Sequence, residues 1–250
     1  MPCSTIMSSL QSQSQSLVLS NCTVFPDRNS IIGDLKLSAS DLPMLSCHYI
    51  QKGCLFARPP LPIHSLISLL KNSLSRTLTH FSPLAGRLST DSQGHVYVTC
   101  NDSGVHFLHA NASHIHIRHI LSSTDVPDSV KDLFAFDRTV SYEGHFNPIL
   151  AVQVTELADG VFIGCSVNHA VTDGTSFWNF FNTFAEVYRG RSKADFEAPG
   201  LPPRLCPDFS GCPRIPRRRS QSHLLTRRAI ARENFQFQQR FDSQTQSQSQ

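Results

Sequence analysis

The residues of this chain best suited to chemistry stand in the short stretch NHAVTDG, residues 168–174. His169 precedes Asp173 by four positions, and Gly174 comes directly after the aspartate. A histidine with its ordinary pKa of about 6.5 accepts a proton at neutral pH, so this imidazole suits a general base. The spacing has a plainer alternative, in which Asp173 or Thr172 caps a helix and His169 merely ends a strand. On spacing alone, the helix cap is the commoner structure.

The residues before this stretch predict a buried strand that ends at the histidine. In residues 161–169, VFIGCSVNH, the odd positions carry Val, Ile, Cys and Val, while the even positions carry Phe, Gly and Ser. This alternation is typical of a strand in the interior of a sheet. Residues 148–157 form a second apolar run, and the intervening Ala158, Asp159 and Gly160 are a strong hairpin signal.

The residues after the stretch predict an amphipathic helix. Aromatic residues recur there at helical steps of three and four, at Phe177, Phe180, Phe181, Phe184 and Tyr188. Gly190 is the expected C-terminal cap. A loop between a strand end and a helix is where open α/β sheets expose reactive side chains.

Other parts of the chain complete the expected fold class. Leucines at helical spacing predict a helix of about four turns within residues 62–81, at Leu66, Leu69, Leu70, Leu74 and Leu78. Residues 95–100 and 104–110 alternate as strands do. The class is therefore α/β, a mixed β-sheet flanked by helices.

Composition narrows the function classes. The 250 residues are 40% hydrophobic and 16% charged, and a formal charge of +3 is too small to imply nucleic acid by itself. No apolar stretch predicts a membrane helix, and the first residues lack the pattern of a secretory signal. The eight cysteines are scattered without a C-x-x-C pair, which indicates reduced thiols of an intracellular protein over a disulfide framework. A cytoplasmic location is expected.

The composition changes along the chain and suggests four parts. Residues 1–16 and 242–250 are rich in Ser and Gln and are expected to be disordered tails. Residues 17–190 carry the regular patterning of a folded domain. Residues 191–241 are rich in Pro and Arg and predict a crossover or linker.

Two further patterns have alternative interpretations. His114 and His116 could bind zinc, but the alternation with Ile115 and Ile117 predicts the wet face of a strand, and we expect no metal site. Seven arginines in residues 214–232 could form a nucleic-acid patch. Without interleaved aromatic residues, they favour a solvated linker.

Four segments in order resemble the BAHD acyltransferases of plants, which use coenzyme A thioesters. The NHAVTDG stretch looks like the HxxxDG signature of this family. Residues 37–56 resemble its opening strand region, residues 70–88 its helix followed by PLAGRL, and residues 177–190 the helix after the signature. The resemblance implies two chloramphenicol-acetyltransferase-like α/β domains with the histidine in a channel between them.

The resemblance also implies a mechanism and a set of roles. His169 would be the general base that deprotonates a hydroxyl or amine acceptor as it attacks the thioester of acyl-CoA, with no acyl-enzyme. Asp173 would pair with an arginine and support the loop, and Gly174 would let the backbone turn sharply. Acyl-CoA would be a co-substrate with no permanently bound cofactor. A small-molecule acceptor is the other expected partner, without nucleic acid or membrane, and full-length relatives are expected to be monomers.

The sequence also departs from the family pattern. The DFGWG segment that family members carry in their second half is missing, and Trp178 is the single tryptophan. From about residue 205 the similarity is weak, so the chain resembles the first domain plus crossover, cut short. Two functions follow as alternatives, an acyltransferase or a truncated, non-catalytic remnant that acts as an interaction protein.

Overall fold

The computed structural model of the chain describes residues 16–122 and 125–190. Its strands are β1 (Leu17–Val24), β2 (Leu35–Lys36), β3 (Ile50–Ala57), β4 (Arg87–Thr90), β5 (Val96–Thr99), β6 (Val105–Ala112), β7 (Leu150–Leu157) and β8 (Gly160–Val167). Its α-helices are α1 (Ile63–Leu78), α2 (Ile117–Leu121) and α3 (Gly174–Tyr188). Short 3-10 turns cover Leu42–Ser46, Ser82–Ala85, Asp128–Leu133 and Ser141–His145. The α/β class predicted from the sequence is confirmed.

The strands form two sheets. The larger has the order β1-β6-β7-β8-β3, and the smaller has the order β2-β5-β4. Only the β6–β7 pair is parallel among these strands, and the other neighbours are antiparallel, so the large sheet is mixed. The parallel pair requires a crossover, and α2 and two of the 3-10 turns lie in the connection between β6 and β7.

The predicted hairpin and the interior strand are both confirmed. Strands β7 and β8 pair antiparallel, with Glu156 opposite Val161, across the Ala158-Asp159 turn. Strand β8 lies between β7 and β3, and all its residues are buried. Because β8 is hydrogen-bonded to a strand on each side, the position of the residue that follows it is fixed relative to the sheet.

Helices α1 and α3 pack together and cover the large sheet. Leu74 and Leu78 of α1 and Phe177 and Phe180 of α3 are completely buried. Such side chains each contribute about 1.5–3 kcal/mol through burial. Leu69 is the exception to the predicted apolar face, since half of its side chain is exposed. Its position lies outside the face of α1 that carries the buried residues.

The end of α3 agrees with the expected glycine cap. Gly190 has a positive φ of 77°, a conformation that glycine adopts without steric cost. Its amide donates to the carbonyl of Val187 at 3.1 Å and satisfies one of the last carbonyls of the helix.

The prediction of a strand at His114 and His116 is wrong. Both residues precede α2, His114 in a turn and His116 directly before the helix. The backbone amide of Ile117 donates to Asp159 Oδ1 at 2.9 Å, which supports the start of the helix from the β7–β8 turn. Ile115 and Ile120 are the buried residues here, and their spacing of five does not follow the period of a strand.

Some sequence predictions concern residues outside the described part. These are the Ser/Gln tails except for residue 16, the segment 191–241 with its arginines, and Cys3, Cys206 and Cys212. The five cysteines within the described ranges are free thiols. Across 16–122 and 125–190, no helix is long and apolar enough to cross a membrane.

Candidate active site

His169 lies at the start of the loop that joins β8 to α3. The amide of Asn168 donates to the carbonyl of Ile149 at 2.8 Å, which extends the β7–β8 pairing by one residue. The chain then turns, and the amides of Val171 and Thr172 donate to the carbonyl of Asn168 at 3.2 and 3.1 Å. The buried strand therefore delivers His169 to the end of the sheet, as the sequence predicts.

The backbone of this loop is held by a second segment of the chain. The amide of His169 donates to Ser141 Oγ at 2.9 Å, and Asn168 Nδ2 donates to the carbonyl of Ser141 at 2.6 Å. Asn168 Oδ1 accepts from the amide of Ala170 at 3.0 Å. Asn168 and Ser141 are both completely buried, so these hydrogen bonds lie out of competition with water.

The imidazole of His169 is half-buried and makes few contacts of its own. Its Nδ1 atom is buried and has no hydrogen-bond partner within the described part of the chain. A buried polar atom without a partner is uncommon, and catalytic groups are among the recognised exceptions.

Asp173 stands at the N-terminal cap of α3. Its Oδ1 accepts a hydrogen bond from the amide of Ser176 at 2.8 Å. A carboxylate at this position also interacts favourably with the positive end of the helix dipole. The cap alternative that the spacing suggested is therefore observed, and it is compatible with a supporting role for the loop. The arginine partner implied by the resemblance stays a prediction.

Gly174 does not need the conformational freedom that the resemblance assigns to it. It begins α3 without a positive φ, and a Cβ atom built on it would meet nothing within 4 Å. The backbone turns at Asp173, whose φ of −95° and ψ of 179° are extended values open to any residue. The structure places no steric requirement for glycine at position 174, and its role in the turn stays a prediction.

A buried tyrosine lies behind the loop. The phenol of Tyr49 donates to the carbonyl of Pro148 at 3.1 Å, and the nearby side chain of Asn168 acts to lower its pKa. Burial raises the pKa of Tyr49 to about 12, so this phenol stays protonated. The guanidinium of Arg87 lies near enough to oppose that shift, and burial lowers its own pKa.

The guanidinium of Arg87 hydrogen-bonds backbone carbonyls. It donates to the carbonyls of Gly86 at 2.7 Å and Gly104 at 2.8 Å. Burial and the charge of Arg87 both lower the pKa of His106, whose ring packs against Phe136 at 5.7 Å between centroids. Arg87 therefore connects backbone segments of the fold near Tyr49.

The sequence predicts His169 and Asp173 as site residues, and it does not predict that Ser141, Asn168 and Tyr49 lie beside them. Asn168 stands next to His169 in the stretch, which is a local signal. Nothing in the sequence near Ser141 or Tyr49 indicates that they contact the loop. Within the described ranges, no group of three His, Cys, Asp or Glu side chains could hold a metal ion.

The chain matches the family model described as "Transferase family" over residues 16–243. It is 38% identical over 159 residues to an uncharacterised acetyltransferase of Arabidopsis thaliana, a match that covers 61% of this chain and 36% of the relative. It is 36% identical over 166 residues to BAHD acyltransferase DCR of the same plant, covering 62% of this chain and 34% of that protein. The chain thus spans about a third of the length of these curated relatives.

Two solved structures share the fold. Vinorine synthase matches with a TM-score of 0.60 and 27% identity, covering 71% of this chain and 44% of that structure. TRI101 of F. sporotrichioides, solved with coenzyme A and T-2, matches with a TM-score of 0.52 and 17% identity, covering 64% and 40%. The family match and the fold agree with the HxxxDG stretch at the end of β8. The chain belongs to the BAHD acyltransferases of the transferase family.

Proposed function

We propose that this chain carries the general base of an enzyme that transfers an acyl group from acyl-CoA to a hydroxyl or amine of a small specialised metabolite. The observation that supports this function is the placement of His169. Its backbone is fixed at the end of the buried strand β8, while the residue as a whole stays partly exposed. A base must be held in place and still be reached by its substrate.

In the proposed reaction, one proton is moved, one bond to the acyl group forms and one breaks. His169 takes the proton of the acceptor as the acceptor oxygen or nitrogen attacks the thioester carbonyl, and a new C–O or C–N bond forms. The tetrahedral intermediate then collapses and the C–S bond breaks. The imidazolium returns its proton to the CoA thiolate, which leaves as the thiol. The acyl group passes directly between the two substrates, without an acyl-enzyme.

Two thiols of the described residues are unsuited to form an acyl-enzyme. A cysteine attacks a thioester as the thiolate. Complete burial raises the pKa of Cys165 far above its ordinary range. Burial, together with the nearby carboxylates of Asp34 and Asp102, raises the pKa of Cys100 to about 11. Neither group supplies a thiolate at neutral pH.

The remaining assignments belong to the same proposal. Asp173 supports the loop by capping α3, and Gly174 serves as the first helical residue beside it. Residues 17–190 are the N-terminal acyltransferase domain, followed by a crossover at 191–241. Acyl-CoA is a co-substrate with no permanently bound cofactor, and the enzyme acts as a cytoplasmic monomer without nucleic acid or membrane.

The test of this function is the removal of the imidazole. In a protein of the relatives' length that contains this chain, His169→Ala should lower kcat for acyl transfer by about 10²–10⁴-fold, the usual contribution of a general base. His64→Ala is the matched control, because His64 lies on the exposed face of α1. Steady-state rates with an acyl-CoA donor and an accepted alcohol measure the effect. If His169→Ala stays within a few-fold of the unchanged protein, His169 is not the base.

One observation favours the second function, a non-catalytic interaction protein. The edge strand β1 exposes Leu17, Val18 and Leu19 with 65%, 47% and 49% of their surface accessible. An exposed apolar edge is suited to contact another protein. A stable complex between this chain and a longer relative, unchanged by His169→Ala and lost on Val18→Lys, would support this function over the catalytic one.

A further inference from the structure

Ser141 lies at the centre of the contacts that hold the loop between β8 and α3. It begins the 3-10 turn Ser141–His145 and is completely buried. Its amide donates to the carbonyl of Cys47 at 2.7 Å, and the adjacent Val140 pairs with His48 in an isolated β-bridge. Ser141 is therefore fixed from its own side of the fold before it contacts the loop.

Both polar groups that Ser141 directs towards the loop are used. Its Oγ accepts from the backbone amide of His169, and its carbonyl accepts from the side-chain amide of Asn168. Two consecutive loop residues are thus held by one residue that precedes His169 by 28 positions. The turn also lies close against the loop, because a Cβ atom at Gly144 would come within 2.5 Å of Asn168 Nδ2.

The imidazole itself is not held by a hydrogen bond in the described part of the chain. Its Nδ1 is buried without a partner, whereas its backbone amide bonds to Ser141. The direction in which the ring leaves the loop is therefore set through the backbone. A shift of the backbone at His169 would move the ring with it, and catalysis tolerates such misplacement poorly.

We propose that Ser141 is a positioning residue for His169, acting through the backbone of residues 168–169. The proposal rests on the proposed function, since it concerns the group named there as the base. Loss of the Ser141 hydroxyl leaves a buried backbone amide without an acceptor, and the loop then relieves that cost by changing its conformation. The ring of His169 loses its single orientation as a result.

The experiment uses NMR on the 250-residue chain, so it needs no turnover. Three-bond couplings report the χ1 rotamer of His169, and amide exchange reports the hydrogen bond to Ser141 Oγ. In Ser141→Ala, we expect the His169 amide to exchange at least about tenfold faster. We also expect its χ1 couplings to change from those of one rotamer to those of an average. Ser141→Cys, which keeps the volume but weakens the acceptor, gives the same readouts if Ser141→Ala does not fold.

Ser73→Ala is the matched control. Ser73 is also a buried serine, 6% exposed, but its Oγ donates to the carbonyl of Leu69 within α1 at 2.8 Å. This variant should leave both His169 readouts unchanged at an equal folded fraction. The proposal is overturned if Ser141→Ala keeps a single χ1 rotamer at His169, even with faster amide exchange, because the contact is then purely structural. Retained acyl transfer in His169→Ala would overturn the proposed function alone.

Discussion

At the scale of single residues, Asp173 joins the loop to the helix that follows it. Its carboxylate accepts a hydrogen bond from the amide of Ser176 in the first turn of α3. The four amides at the start of a helix have no partner within the helix, so a side-chain acceptor stabilises the fold as well as the loop. The loop that carries His169 ends at Asp173, four residues after the histidine.

Two substitutions separate the cap from the charge of Asp173. Asp173→Ala removes the acceptor and should lower the free energy of unfolding by about 0.5–2 kcal/mol. Asp173→Asn keeps an acceptor of nearly equal capping strength, so the free energy of unfolding should fall much less than in Asp173→Ala. Urea unfolding followed by circular dichroism measures both. If Asp173→Asn loses as much stability as Asp173→Ala, the charge of Asp173 holds the loop, as in the ion pair that the family resemblance implies.

The residues of the site differ in how far the sequence could predict them. His169 and Asp173 lie in one short stretch, and their spacing on a strand–loop–helix pattern is visible without a structure. Ser141 and Tyr49 reach the loop only because β3, β7 and β8 bring distant segments together. Such contacts depend on the pairing of strands, which no local pattern encodes.

At the scale of elements, β8 can be buried on both sides because Gly164 leaves room for the segment that crosses it. A Cβ atom at Gly164 would lie 2.7 Å from the carbonyl of Leu133 and 2.9 Å from the ring of Phe134. Since the first neighbour is backbone, the segment ending at Leu133 must move for any larger residue to fit. The strand and this segment therefore pack at a distance that only glycine permits.

Gly164→Ala should destabilise the fold by about 1–3 kcal/mol, the usual cost of overpacking a core. Gly174→Ala is the matched control, because its new methyl group meets nothing within 4 Å. In a helix, that change leaves stability unchanged or raises it by up to about 1 kcal/mol. Thermal and urea unfolding compare the two variants. Equal stabilities would contradict the close approach of the crossing segment to β8.

The elements themselves were predictable where one period ran over many residues. The β7–β8 hairpin, α1 and α3 follow from alternation, leucine spacing and aromatic spacing. The short helix α2 was missed because the alternating His and Ile of residues 114–117 have the period of a strand. The start of this helix is supported by a distant contact, in which Asp159 accepts a hydrogen bond from the amide of Ile117, 42 residues away in the sequence.

At the scale of the whole molecule, the described residues leave two surfaces to be explained. The His169 loop lies at one end of the large sheet, and β1 forms one edge of that sheet. Curated relatives are about three times as long as the stretch they share with this chain. We infer that the residues of those relatives beyond the shared stretch contact these surfaces and, under the proposed function, contribute to the substrate site.

The 250-residue chain alone should therefore not catalyse acyl transfer at a useful rate. Under the proposed function, the residues that the relatives carry beyond the shared stretch help to hold two substrates in line with His169, and such positioning contributes up to about 7–11 kcal/mol of barrier reduction in well-oriented systems. The exposed apolar residues of β1 should also promote self-association. Val18→Lys should reduce that association without restoring activity.

The measurement begins with the expressed 1–250 chain, checked by light scattering and circular dichroism for a folded, monodisperse species. Calorimetry with CoA and a thioester-dependent product assay then follow, with a longer relative as the positive control. We expect no binding of CoA at micromolar concentrations and no product above background. A monomer that binds acyl-CoA at micromolar affinity and turns over would refute the requirement for a second half. The 250-residue chain would then hold both substrates by itself, since the positioning energy would have to come from its own residues.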